Sequence, residues 1–171
     1  MEHLRDLSRE QLLTLLEVYA RNWLAHDGCW FLAAEETFGL EAAMALDCKS
    51  WEQFSPIEAQ RIMQAFGIAE GGGLDALERA IGYRLYSCIN RYGIERPNAD
   101  TLIHKMLECR VQSARQRKGL PAFPCKSVGE IEYSRFARAV DAHIQTRCIQ
   151  CPPDPVQDDR CACAWEFTIP K

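Results

Sequence analysis

Apolar residues recur at helical spacing through the first half of the chain, and the texture shifts toward alternation in the second. Leu12, Leu15, Leu16, Tyr19 and Trp23 share a face behind the capping box Ser8-Arg9-Glu10-Gln11, which predicts a helix to about Ala25. His26-Asp27-Gly28 reads as a break in which Asp27 caps the next helix. Trp30, Phe31, Ala34 and Phe38 resume the pattern up to Gly39, and Leu40 to Leu46 fits a further short helix. Ser55-Pro56-Ile57-Glu58 is a second capping box with Pro at the first helical position, and Gly67 stops that helix. Gly71-Gly72-Gly73 predicts a flexible joint. Leu74, Leu77, Ile81, Leu85 and Cys88 then continue at three- and four-residue steps, with Gly93 as the C-cap.

From Thr101 the residues 101–111 show a mixed period-2 pattern, which predicts a strand. Gly119-Leu120-Pro121-Ala122-Phe123-Pro124 is an extended loop, because each proline also restricts the residue before it. Ser127-Val128-Gly129-Glu130 is a third capping box and opens a helix through Tyr133, Phe136, Ala137 and Val140. A cysteine-rich loop comes after His143. Residues 162–169 have the aromatic and β-branched content of a closing strand, antiparallel to the one from Thr101. The predicted fold class is α+β: an N-terminal helical bundle (1–95) packed on a small antiparallel sheet, with a Cys-rich C-terminal loop in residues 96–171. With 171 residues, 47% of them apolar, one core of ordinary size fits and two do not, so the chain reads as a single domain.

Charge separates the two halves. The net charge is −4, but residues 1–100 carry 9 Lys/Arg against 16 Asp/Glu, whereas residues 101–171 carry 11 against 8. Arg110, Arg115, Arg117, Lys118 and Lys126 form the local positive strip, suited to a carboxylate or phosphate on a small molecule, or to guarding a strand edge. No aromatics interleave between Leu102 and Leu120, so nucleic acid is not favoured. No stretch reaches the roughly 18 uncharged apolar residues of a membrane span, and residues 1–6 open neither a signal peptide nor a transit peptide, so the expected location is the cytoplasm.

Cysteine is the outlier, with six of nine inside the last 63 residues. An odd count in a chain of this length argues for metal binding or thiol chemistry over a disulfide framework. Cys148-Ile149-Gln150-Cys151 is a knuckle on which two thiolates can converge, and further cysteines from other segments would complete a Cys₄ site. The expected ligands are Cys125, Cys148, Cys151 and Cys163, with Cys109 and Cys161 in reserve. Cys161 and Cys163 alternate, so one of them points away. Zn²⁺ is the expected ion and an iron–sulfur cluster the alternative. Cys29, Cys48 and Cys88 read as apolar packing among helical core positions.

Beside the thiols, His26 with Asp27 is a candidate acid–base pair near an aromatic pocket of Trp23 and Trp30. Its plainer reading is a helix cap and a surface histidine. Glu132 is a second candidate base, or a solvent-facing helix residue, and Arg110 and Arg115 would hold an anionic substrate.

At Cys109-Arg110-Val111-Gln112-Ser113-Ala114-Arg115, Phe123-Pro124-Cys125-Lys126-Ser127-Val128-Gly129, Cys148-Ile149-Gln150-Cys151-Pro152-Pro153-Asp154 and Cys163-Ala164-Trp165-Glu166-Phe167 the chain resembles a family of small, uncharacterised prokaryotic cytosolic proteins. Asn22-Trp23-Leu24-Ala25-His26-Asp27-Gly28 looks like that family's opening. More distantly, Cys151-Pro152-Pro153-Asp154 and Cys163-Ala164-Trp165 are similar to the ending of the L-2-amino-thiazoline-4-carboxylate hydrolase-like family, which implies hydrolysis of a small cyclic substrate. Three functions are therefore expected to compete. The first is a Cys-ligated metal domain. The second is a metal-assisted hydrolase of a small carboxylate or cyclic amide or thioimidate. The third is a small-ligand or iron–sulfur redox sensor. A homo-oligomer is compatible with each.

Overall fold

A computed structural model describes residues 2–170. The chain runs α1 (Glu2–Arg5), α2 (Arg9–Phe38), α3 (Leu40–Phe66), α4 (Gly73–Ile81), a 3₁₀ turn (Leu85–Cys88), β1 (Arg91–Asn98), β2 (Thr101–Glu108), α5 (Arg110–Arg117), α6 (Lys126–Val140), β3 (Gln145–Gln150) and β4 (Cys163–Thr168). The fold is α+β with N-terminal helices, as the patterning predicts. One antiparallel sheet has the order β1-β2-β4-β3, and β4 lies between β2 and β3.

The helices are longer and fewer than the breaks suggest. The Ser8 capping box forms, with Gln11 N–H donating to Ser8 Oγ at 3.2 Å and Ser8 N–H to Gln11 Oε1 at 2.8 Å. The helix then passes straight through His26-Asp27-Gly28, because one glycine costs only about 1 kcal/mol inside a helix whose Ala20, Leu24 and Phe31 turns have partners. The real break is Gly39, whose φ of 84° is open to glycine, and its N–H still donates to Glu35 O at 2.9 Å. Pro56 sits inside α3. Ser55 is buried there and its hydroxyl donates to Trp51 O at 2.8 Å, so it is no N-cap; the surrounding buried residues Trp51, Glu58, Ala59 and Ile62 hold the helix through the proline. Gly67 does end α3, in the left-handed conformation. The glycine run is a pinned turn rather than a joint: Gly71 N–H donates to Val140 O at 2.9 Å and Gly73 N–H to Asp141 Oδ2 at 3.1 Å.

Two further expectations change. The helix predicted to Gly93 stops at Ile81, and Gly93 lies within edge strand β1, where Tyr92 and Ile94 pack on the core. The strand from Thr101 ends at Glu108, and Arg110–Arg117 is a helix, so the basic strip lies on α5 and not along a strand edge. Helix α6 begins at Lys126, and its N-cap is Cys125 rather than Ser127.

The core lies where α6 meets the sheet on one side and α3 on the other. On β2, Leu102, His104 and Met106 are buried in alternation; across the ladder they face Phe167, Trp165 and Cys163. Tyr133 of α6 stacks on Trp165 at 4.8 Å between ring centroids, and the closeness of α6 depends on Gly129. A Cβ there would stand 2.5 Å from the Trp165 ring. Arg84 is buried after α4, with Nη2 2.8 Å from both Glu58 and Glu132 and its guanidinium 4.6 Å over the Phe136 ring. This triad ties α3, the segment before the 3₁₀ turn and α6 together.

Candidate functional site: a thiol-lined cavity

Between α2, α3, α5 and α6 and the end of the sheet opens a cavity of about 460 Å³. Its size suits a small organic molecule. Cys29 stands in its wall from within α2, and the other four thiols arrive from the ends of elements: Cys109 after β2, Cys125 at the start of α6, Cys151 after β3 and Cys163 opening β4. Cys125 Sγ lies 3.5 Å from Cys151 Sγ, and Gln112 Nε2 is 3.5 Å from Cys125 Sγ on the other side. Gln112 is itself fixed, donating to Phe123 O at 2.8 Å and accepting from Phe123 N–H at 2.9 Å.

These contacts set which sulfur gives up its proton. The hydrogen bond from Cys151 lowers the Cys125 thiol below the ordinary range against the opposing effect of burial, and Gln112 adds to it. Cys151 is pushed far up as the donor to Cys125 and Cys163. Burial raises Cys109 to about 11. Cys125 is therefore the thiol whose acidity these contacts raise.

Carboxyl groups occupy the wall nearer the helices. Burial, with repulsion from Asp27 and Glu132, lifts Asp47 to about 7, partly offset by a hydrogen bond to Trp51. Burial also raises Asp27 and Glu132, the latter against the attraction of Arg84. The aromatic wall consists of Phe31, Trp51, Tyr86, Phe123, Tyr133 and Trp165, and the rim carries Arg21, Arg110, Arg117 and Lys118. Trp165 is 1% exposed, and its indole Nε1–H has no hydrogen-bond partner among the described residues. The nitrogen itself is covered, so Trp165 presents its ring rather than its N–H to the cavity.

The predicted site residues separate. Cys125, Cys151 and Cys163 come together, and Cys109 joins them from reserve. Cys148 lies on β3 outside the cavity wall, paired in register with Trp165. Cys161 is buried under the loop after β3, held by Gln150 and Asp158, so Cys161 and Cys163 do part as expected. Among the described residues, no group of three or more His, Cys, Asp or Glu side chains is arranged to hold a metal ion. Cys29 and Cys88 are exposed and Cys48 half-buried, so none of the three is core.

Glu132 is neither solvent-facing nor free: it is buried in the pair with Arg84. Asp27 lines the cavity while His26, one residue round the helix, is exposed and does not. Trp30 is also exposed, and Trp23 stacks on Phe54 at 5.6 Å, so the predicted Trp23/Trp30 pocket is replaced by the inner aromatic wall. Arg110 keeps a place at the rim, with Nε donating to Ile89 O at 2.6 Å. Arg115 is occupied within the protein by Glu35 at 2.7 and 3.1 Å and by Pro121 O at 2.8 Å. Sequence reasoning missed Asp47, Tyr86 and the role of Gln112. Only the closeness of Gln112 to Cys109 in sequence offered a signal.

Fold and site define an α+β protein with a ligand-sized, thiol-lined cavity at the junction of its helices and sheet. The chain belongs to a family of unknown function (DUF6125), whose sequence profile matches residues 5–169. No curated protein matches the sequence. No helix among the described residues is long and apolar enough to cross a membrane.

Proposed function

We propose that the cavity binds a small organic molecule with an apolar or aromatic body and an anionic group toward the rim. The observation that carries this reading is a 460 Å³ cavity whose wall is largely aromatic and whose rim is cationic. Arg110, Arg117 and Lys118 support the anionic end, and the aromatic wall supports the body. Cys125, whose thiol is made more acidic by its neighbours, and Asp47, lifted to about 7, both line the cavity and are the nucleophile and acid that hydrolysis of a small thioimidate or amide would call on.

The test uses aromatic carboxylate fragments, benzoate and indole-3-acetate, as probes. Bound fragment is expected to slow alkylation of Cys125 by iodoacetamide, read by mass spectrometry of its peptide. Arg117→Gln should weaken that protection by about 2–10-fold, the worth of one hydrogen bond to the anionic end. Fragments that leave the alkylation rate unchanged in the wild type would remove the reading.

The second reading is a thiolate metal site, favoured by the approach of Cys125 to Cys151 with Cys163 and Cys109 beside them. Cys109 would then take the place expected of Cys148. Elemental analysis and an optical spectrum, on protein purified without oxygen and without an affinity-tag metal, test it. About one zinc per chain without visible absorbance supports the site, iron with a charge-transfer band supports a cluster, and metal-free folded protein discards both.

A further inference from the structure

The largest unexplained feature outside the cavity is the apolar surface of α2. Leu12, Leu16, Tyr19, Trp23 and Trp30 are 38, 55, 58, 36 and 69% exposed. Their spacing puts all five on one side of the helix. The cavity residues of α2 take up the rest of the helix, with Arg21, Ala25, Gly28 and Leu32 about 170° away at 100° per residue and Asp27 nearest the stripe. From Arg9 to Tyr19, every residue except the half-buried Leu15 is exposed, although Leu12, Leu13, Leu16, Val18 and Tyr19 make this stretch apolar nearly all round. A helical segment of that character is a buried one, and three turns without packing are marginal in water.

We propose that this stripe is the interface of a homodimer in which the α2 helices of two copies pack antiparallel about a twofold axis near Arg21. The gaps along the stripe, with His26 filling its one empty place, are 4, 3, 4, 3 and 4, and read the same in both directions. Reversal therefore sets Leu12 against Trp30 of the second copy, Leu16 against His26 and Tyr19 against Trp23. No side chain meets its own copy, whereas a parallel pair would set Trp30 on Trp30. The antiparallel arrangement also lays the uncovered first turns of each α2 over the Trp23–Trp30 half of the other, so each copy supplies what the other lacks. That reciprocity is what an isologous interface requires.

Charge and area agree with this occupant. No Lys, Arg, Asp or Glu lies on the stripe itself, as at interface centres. At ~150–250 Å² per aromatic side chain, the exposed fractions amount to on the order of 500 Å² per copy. That is the greater part of the ~800 Å² per partner of a standard interface. The opposite side of α2 stays free, so the cavity remains open in the dimer and fragment binding there is independent of dimerisation.

Sedimentation equilibrium of the full chain is the first measurement, with a mass twice the 19.5 kDa of one chain expected at micromolar concentration. Leu12→Glu and Trp30→Lys should each raise the dissociation constant on the order of 30-fold or more. The far-UV circular dichroism should remain that of the folded chain, since both side chains are exposed and off the core. Mixing the two variants should restore the dimer, because the antiparallel register sets Glu at 12 against Lys at 30 and leaves the other Leu12–Trp30 pair intact. A wild type that stays monomeric at 100 µM overturns the proposal, whether or not it sediments with phosphatidylcholine vesicles. A dimer that neither substitution weakens, or that mixing fails to restore, overturns the register and the interface with it.

Discussion

Helix α6 is half the length of α2 and buries seven residues, from Val128 to Val140; α2, at 30 residues, buries only Ala20. The difference does not lie in apolar content, since α2 carries the longer series of Leu, Tyr and Trp. It lies in what each helix has on its two sides. α6 has α3 on one and the sheet on the other, while the first turns of α2 have neither. Hydrophobic periodicity says that a helix has a face to hide, and the rest of the fold decides whether the hiding place is in the same chain.

Removing the cation from the centre should have the largest effect. Arg84→Met leaves Glu58 and Glu132 buried without their partner and is expected to cost ~3–5 kcal/mol in urea denaturation. Adding Glu58→Gln and Glu132→Gln should return most of it. A loss under 1 kcal/mol from the single variant would show the triad to be hydrated and the centre softer than α6 implies.

Asp47 probes the helix wall of the cavity through pH. Its folded pKa of about 7 lies above the ordinary carboxyl value, so the folded chain keeps a proton that the unfolded chain has released between about pH 4 and 7. Stability therefore falls as pH rises through that window. Asp47→Asn should remove the slope, adding roughly 2–4 kcal/mol at pH 8 and nothing below pH 4. Parallel stability curves for the two proteins would contradict it.

Gly129→Ala is smaller. Alanine normally favours a helix, but here the new methyl meets the Trp165 ring at 2.5 Å, and overpacking of this kind costs ~1–3 kcal/mol. A gain in melting temperature would mean that α6 can move off the sheet. Least of all is Leu13→Lys, on the exposed arm but off the interface stripe, expected within ~0.5 kcal/mol of wild type. A cost above 2 kcal/mol would show that the arm rests on its own chain and erase the contrast with α6.

Much of this architecture could be read from the sequence where a local signal and the tertiary context agreed. The Ser8 capping box, the Gly67 stop, the strand from Thr101 and its pairing with the closing strand are examples. The misreadings come from signals that packing overrode. Asp27-Gly28 and Ser55-Pro56 look like helix starts, but the turns around them are held by neighbours that no local window contains. β1 escaped because only Tyr92 and Ile94 mark it. For the site, cysteine density pointed to the right region and to three of the five thiols that line the cavity. The knuckle spacing favoured Cys148, whereas the strand turns that sulfur away and brings Cys109 in from β2. The carboxyl and aromatic walls come from α2, α3 and the 3₁₀ turn, far away in sequence, and no motif could have announced them.

The position of β4 also bears on how the protein is made. Both β2 and β3 pair with it, so beyond the β1–β2 hairpin no part of the sheet can form until Thr168 has been synthesised. About 60 residues separate the end of β2 from that point, which at ~5–20 residues per second is some 3–12 seconds of translation. Through that interval Leu102, His104 and Met106 wait without the strand that covers them, and the thiol cavity has no floor. Unpaired β2 and the surface it leaves open make the ribosome-bound chain a state exposed to chaperones and to aggregation.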